Sequence, residues 1–159
     1  MGLPATFVGF SGTDIKSYWL MQAWKANEKI DFDFRDCQLQ AEVRSEDEAY
    51  IKAKCRGRIQ MASKFVQLIG QDTRYKYKYV RWEAEVAIEK GCTIIGVNLD
   101  GSRKMVEETC PPIIRNIGAI FVPFSPKIIR HALENATMEK DNAWHFRDSV
   151  YQQLGYPND

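Results

Sequence analysis

Residues 79–99, YVRWEAEVAIEKGCTIIGVNL, decide the fold because they join an amphipathic helix to a buried strand through one glycine. The apolar side chains of the first half recur at helical spacing, which predicts a helix from about Tyr79 to Lys90. Gly91 is the expected C-terminal cap of that helix. Residues Thr93–Leu99 are almost all apolar and predict a buried strand. A helix that leads directly into a buried strand indicates an α/β architecture.

The same alternation extends along the rest of the chain and predicts four further strands, at Ala5–Phe10, Ile30–Phe34, Lys64–Ile69 and Gly118–Pro123. Residues 30–34 alternate between apolar and acidic side chains, so their strand is expected toward a sheet edge. Five strands separated by helices predict a parallel sheet with helices on both faces, because parallel strands need crossover connections. The length of 159 residues fits one domain, 1–159.

Helices are predicted between these strands from their first residues as well as from their apolar spacing. The first helix follows the polar residues 11–14. The second, from Ser45 to about Gln60, opens with an N-cap serine and a glutamate at the capping-box position. Another begins at Ser125-Pro126, because proline is favoured directly after an N-cap. Residues Trp144–Leu154 are expected to form the last helix.

Composition excludes several classes of protein. With 22 basic and 21 acidic residues the net charge is +1, so no overall field attracts nucleic acid or an anionic membrane. The first residues lack the pattern of a secretion signal, and no run approaches the roughly 18 apolar residues of a membrane span. A cytoplasmic protein with reduced cysteines is expected. No metal site is expected, because the four cysteines form no Cys-x-x-Cys pair: Cys37, Cys55, Cys92 and Cys110.

Two predicted loops should meet at the carboxyl ends of the strands, where open parallel sheets bind ligands. In the loop after the first strand, Phe10, Ser11 and Asp14 could contact a phosphate at the following helix, although taken alone the loop is interpreted first as a helix cap formed by Ser11 or Thr13. In residues 71–79, basic and aromatic side chains interleave. That loop is interpreted first as a solvated loop and second as a lid over a phosphorylated small molecule.

One acid stands out on the helix that follows. A rotation of about 100° per residue places Glu83 on the flank of the buried stripe, whereas Glu85 and Glu89 point away from it. Because Glu83 lies near the helix N-terminus, the macrodipole should favour its ionised form. Rotation alone also fits a structural ion pair or a helix-start acid at this position.

The segments Tyr79–Glu83 and Ile88–Val97 closely resemble the TIR-like proteins of the Thoeris anti-phage defence system. The resemblance continues in Thr6–Ser11 with Asp14 and in Val66–Gly70, so it covers roughly residues 5 to 100. It implies a TIR-like, flavodoxin-type three-layer sandwich with a five-stranded parallel sheet.

The resemblance also implies an activity. TIR-like domains of this family consume NAD+ and release nicotinamide, and some produce a cyclic ADP-ribose isomer that activates a separate effector protein. The family's catalytic glutamate falls on Glu83. Many TIR enzymes carry an aromatic residue four positions earlier, where this chain has Tyr79, and Trp82 adjoins the acid. NAD+ is the expected substrate, no cofactor is expected, and the expected substrate-binding residues are Phe10, Ser11, Asp14, Tyr79 and Trp82.

Two alternatives belong to other functional classes. A phospho-receiver needs an acidic pair after the first strand and an aspartate after the third, but those places read Phe10–Gly12 and Leu68–Gly70. Flavin binding needs a longer first loop than Ser11–Thr13. A non-catalytic TIR-like or flavodoxin-like binding or assembly module, acting by self-association, stays open.

Overall fold

A computed structural model describes residues 4–30, 32–33, 35–36, 48–76, 79–138 and 142–158. The strands in chain order are β1 (Ala5–Gly9), β2 (Arg35–Asp36), β3 (Lys64–Ile69), β4 (Thr93–Asn98), β5 (Ile120–Pro123) and β6 (Trp144–His145). The α-helices are α1 (Ile15–Ala26), α2 (Glu48–Gln60), α3 (Tyr79–Lys90), α4 (Pro126–Asn135) and α5 (Asp148–Gln153). Short 3-10 turns lie at Gly12–Asp14, Thr73–Tyr75 and Pro112–Ile114.

The strands form one sheet in the order β2-β1-β3-β4-β5-β6, and every neighbouring pair is parallel. The first five strands have the order of flavodoxin-type folds, in which the direction of winding reverses between β1 and β3. The predicted fold class is therefore confirmed. The two-residue strand β6 extends the five predicted strands by one at the edge beyond β5.

Each face of the sheet packs against its own layer of helices. One core combines the strand side chains Phe7, Phe65, Ile94 and Phe121 with residues of α2 and α3. The other combines Val8, Val66, Ile95 and Val97 with residues of α1, α4 and α5. Successive strand side chains point to opposite faces, so the continuous apolar runs of β1, β3 and β4 supply both cores. The sheet is thus the middle layer of three.

The segment that follows α1 departs from the sequence prediction. Residues 30–34 were expected to form the edge strand, but β2 lies at Arg35–Asp36, which is at the sheet edge as predicted. The backbone N–H of Ile30 donates to the carbonyl of Asn27 and that of Phe32 donates to the carbonyl of Ile30, so the described residues 30, 32 and 33 belong to no strand, while residues 31 and 34 lie outside the described residues. Phe32 is buried against Trp24, so its apolar character serves the core rather than a strand.

The C-terminal segment also differs from the sequence prediction. The predicted helix Trp144–Leu154 begins only at Asp148, because the N–H of Trp144 donates to the carbonyl of Ala119 and places Trp144–His145 in the sheet. The cap at Gly91 is confirmed, with a φ of 87°. Ser45, the predicted N-cap of α2, lies outside the described residues. None of the helices in the described ranges has the length and apolar character that crossing a membrane requires.

Candidate active site at the carboxyl edge of the sheet

A cavity of about 520 Å³ lies where the winding of the sheet reverses, beyond the carboxyl ends of β1 and β3. Among the described residues, the loop after β1 and the segment from the loop after β3 into α3 line it: Phe10, Ser11, Gly12, Tyr75, Lys76, Tyr79 and Val80. This volume is typical of sites for small molecules and cofactors. The two predicted loops and the start of α3 therefore meet as expected.

Hydrogen bonds join the two loops that form the cavity walls. The hydroxyl of Thr13 donates to the carboxylate of Asp72, whose two oxygens both lie 2.8 Å away. In the opposite direction, the hydroxyl of Thr73 lies 3.5 Å from Oδ2 of Asp14 and donates to it. Each loop thus supplies a carboxylate that accepts from a hydroxyl of the other loop. Neither Ser11 nor Asp14 caps a helix with its side chain, so the capping interpretation of this loop is wrong.

The pKa values of the two carboxyl groups in this network shift in opposite directions. Burial raises the pKa of Asp14, as does the neighbouring charge of Asp72, and the hydrogen bond from Thr73 offsets only part of that rise. Burial also raises the pKa of Asp72, but hydrogen bonds from Thr13 and Ser11 together with the Lys76 charge outweigh it, so the pKa falls below its ordinary value. Asp72 therefore holds its negative charge more readily than Asp14 does.

Asp14 points away from the cavity that Phe10 and Ser11 line. Its carboxylate packs against Gly70, where an added Cβ would lie 2.4 Å from Oδ2. It borders a separate depression of about 200 Å³ together with Gly70 and Asp100. The structure thus brings Phe10, Ser11 and Tyr79 together at the cavity, and it places Asp14 behind the loop rather than in its wall.

Glu83 lies one helical turn beyond Tyr79 on the same side of α3. The residue keeps some accessible surface, yet its carboxyl group is deep enough for burial alone to raise its pKa to about 8. Across the interface with α2 lies Cys55, and burial followed by the charge of Glu83 raises the pKa of that thiol to about 11. Within the described residues, the Glu83 carboxyl group has no ion pair and no side-chain hydrogen bond.

The other two glutamates of α3 each have an arginine partner, whereas Glu83 has no such partner among the described residues. Glu85 accepts a hydrogen bond of 3.1 Å from Arg81, and Glu89 lies 3.7 Å from Arg56. Both are surface pairs, as the rotation of the helix predicted. The structural ion pair that competed as an explanation for Glu83 is therefore found at its neighbours.

The expected effect of the helix macrodipole on Glu83 is wrong for the free protein. A helix N-terminus stabilises a carboxylate by about 0.3–1 kcal/mol at an ordinary surface site. A pKa raised from 4.5 to about 8 corresponds to a desolvation cost of about 5 kcal/mol. Burial is the larger effect, so the carboxyl group is mostly protonated at neutral pH until something binds beside it.

Trp82 and the loop after β3 also differ from expectation. Trp82 packs against the core between α2 and α3, with the Arg56 guanidinium 5.8 Å from its ring centroid, and it is not among the described residues that line the cavity. Tyr75 and Lys76, in contrast, line the cavity although neither was predicted as a site residue. Their signal was the interleaved basic and aromatic pattern of residues 71–79, which was interpreted first as a solvated loop.

No group of three or more His, Cys, Asp or Glu side chains suited to a metal ion occurs in the part of the chain that the structure describes. The comparison with curated proteins gives no match. The family model described as Thoeris protein ThsB, TIR-like domain, matches residues 7–104, which is more than half of the chain. That range contains both cavity loops and Glu83. The chain therefore belongs to the TIR-like domain family of the Thoeris protein ThsB, and it is a TIR-like protein of a defence system.

Proposed function

We propose that the protein cleaves the nicotinamide–ribose bond of NAD+, with Glu83 as its catalytic residue. We further propose that it converts the remainder to a cyclic ADP-ribose isomer, which activates a separate effector protein as a diffusible signal. The observation that carries the proposal is the Glu83 carboxyl group, which is buried without an ion pair or side-chain hydrogen bond among the described residues. Glu83 is not among the described residues that line the cavity, but it follows Tyr79, which lines it, by one helical turn.

A single carboxylate suffices for this chemistry. Breaking the bond passes through an oxocarbenium-like state, as in glycoside hydrolysis. Nicotinamide leaves as a neutral molecule from a cationic ring, so no acid has to protonate it. An anion that faces the positive charge developing on the ribose stabilises the transition state more than the ground state, and such a contribution amounts to several kcal/mol in a site that excludes water.

The raised pKa of Glu83 fits this role because the substrate brings a hydrogen-bond donor and a positive charge, and the carboxyl group has neither among the described residues. Bound NAD+ would place ribose hydroxyl donors and a cationic ring beside the carboxyl group. Hydrogen bonds to the charged form and a nearby positive charge both lower a carboxyl pKa. Glu83 would then ionise as the substrate binds, and its charge would be unscreened by any other cation among the described residues.

The cavity lining favours a cyclic product. Phe10, Tyr75 and Tyr79 give the cavity largely aromatic walls. Walls of this kind limit the water available to trap the ribosyl cation. A hydroxyl or an adenine nitrogen of the bound ADP-ribose can then take the place of water and close a ring.

The alternative, a non-catalytic module that self-associates, is favoured by one feature of α1. Its outer surface exposes the large apolar side chains Ile15, Trp19 and Leu20. Such a protein would form oligomers without consuming NAD+, so measurements of turnover and of oligomeric state separate the two functions.

The direct test is incubation with NAD+ followed by mass spectrometry, using protein purified from cells that have received an infection-derived trigger. We expect nicotinamide and a cyclic or linear ADP-ribose from the unaltered protein, and neither from Glu83→Gln. A protein-free filtrate of the reaction should activate the effector protein. If NAD+ stays intact under conditions in which a known TIR enzyme consumes it, the proposal is wrong.

A further inference from the structure

Ionisable side chains lie on both sides of Tyr79 along the chain: Lys76 lines the cavity, whereas Glu83 is not among the described residues that line it. Lys76 is the charged residue among the described residues that line it. Its carbonyl accepts a hydrogen bond of 3.2 Å from the N–H of Arg81, which fixes it to the first turn of α3. Glu83 lies in the other direction, about 6 Å beyond Tyr79 along the helix axis. Lys76, which precedes α3, and Glu83, which lies within α3, are thus on opposite sides of Tyr79 along the chain.

The Lys76 ammonium group is held near Asp72 by one weak ion pair and keeps donors for another anion. Its Nζ lies 3.6 Å from Oδ2 of Asp72, and the two side chains are 46% and 33% exposed, which makes this a weak surface pair. Asp72 is itself held by the hydroxyl of Thr13. An ammonium group has three donors, so Lys76 can keep this contact and still donate to another anion.

Aromatic rings lie next to this cation. Phe10 is stacked on Tyr18, with ring centroids 5.0 Å apart, so its position in the wall is fixed. Tyr75 directly precedes Lys76 and is 59% exposed at the cavity rim. An exposed ring beside an ammonium group suits a nucleobase followed by phosphate, because bases stack on aromatic side chains and phosphates bind cations.

We propose that Lys76 forms the subsite for the diphosphate of the substrate and thereby sets the direction in which the substrate lies, with the nicotinamide ribose toward Glu83. This inference rests on the proposed function. NAD+ carries its positive charge on the nicotinamide ring and its negative charges on the diphosphate, with one ribose between them. The opposite direction would place the diphosphate against the acid and the cationic ring against the lysine.

The experiment measures the binding of ADP and of adenosine by calorimetry, so it does not depend on turnover. Lys76→Gln should weaken ADP binding by about tenfold or more, which is the loss expected for a hydrogen bond between charged groups. Adenosine lacks phosphate, so its affinity should stay unchanged. Lys76→Arg should retain most of the ADP affinity. Lys104→Gln is the matched control, because Lys104 is exposed and borders a different depression after β4.

The possible results test the Lys76 subsite independently of NAD+ cleavage. The subsite is refuted if ADP does not bind the unaltered protein, if Lys76→Gln binds ADP normally, or if it loses ADP and adenosine equally. If ADP binding depends on Lys76 while NAD+ is never cleaved, the subsite stands and the proposed function fails. If NAD+ is cleaved with a KM that does not respond to Lys76→Gln, the proposed function stands and the subsite fails.

Discussion

Glu83→Gln should abolish NAD+ cleavage and at the same time stabilise the fold. The substitution keeps the size of the side chain and removes only its ability to carry charge. The carboxyl group has a pKa of about 8 in the folded protein and 4.5 as its ordinary value. It therefore holds its proton more tightly when folded. Its stabilising contribution is fully present below pH 4.5, is lost as the pH rises toward 8, and does not change further above that.

The magnitude follows from the same two values. At about 1.4 kcal/mol for each pH unit, the wild-type protein should lose about 5 kcal/mol between pH 4.5 and 9, and about 3 kcal/mol of that by pH 7. Glu83→Gln lacks this loss. Since about 1 kcal/mol corresponds to 2–4 °C in a protein of this size, its Tm should exceed that of the wild type by several degrees at pH 7.

The assay is thermal and denaturant unfolding at pH 5, 7 and 9, with turnover of NAD+ measured on the same samples. Glu85→Gln is the matched control on the same helix. It loses only an exposed pair with Arg81, so its free energy of unfolding should stay within about 0.5 kcal/mol of the wild type at every pH. If Glu83→Gln retains near-wild-type turnover, the catalytic assignment is wrong. If it shows the same pH dependence of stability as the wild type, the burial argument is wrong.

Two further predictions test the site in other ways. The kcat/KM for NAD+ should rise with pH up to about 8 and then level off, because the free protein must ionise Glu83, and a profile that is flat from pH 6 to 9 would contradict this. Gly70→Ala should lower stability by about 1–3 kcal/mol through its close approach to the Asp14 carboxylate, and most of this loss should disappear in an Asp14→Ala background when both are measured by thermal unfolding. An equal loss in both backgrounds would show that the Asp14 carboxylate is not the obstacle.

The elements with strong local signals were predicted to within about one residue. Helix α3 and the strands β3 and β4 have strong apolar patterns, α3 and β3 are each followed by a glycine, and the structure has these elements where the sequence places them. The strands β2 and β6 have two residues each, and their pairing depends on distant partners such as the carbonyl of Ala119. Local periodicity carries no information on such partners, which is why residues 144–147 were interpreted as helix.

The sequence predicted where Glu83 lies on α3 but not the electrostatics around it. Rotation about α3 placed Glu83 correctly on the flank of the buried stripe. Its raised pKa depends on the packing of α2, whose Cys55 lies far earlier in the chain. The direction of Asp14 depends on the space left by Gly70 in another loop. Such effects require the tertiary arrangement of at least two segments, and a single run of sequence does not contain them.

The last third of the chain lies outside the family match but is part of the same sheet and of one core. The family match ends at residue 104, but β5 pairs with β4 and is contributed from beyond that point. The guanidinium of Arg103 lies 4.3 Å from the ring centroid of Tyr151, so the final matched residues dock onto the C-terminal segment. A chain shortened to end at residue 104 would leave β4 as a bare edge strand and remove α4 and α5 from one core. The residues beyond 104 therefore complete the sheet edge and one core that the matched region alone would leave open.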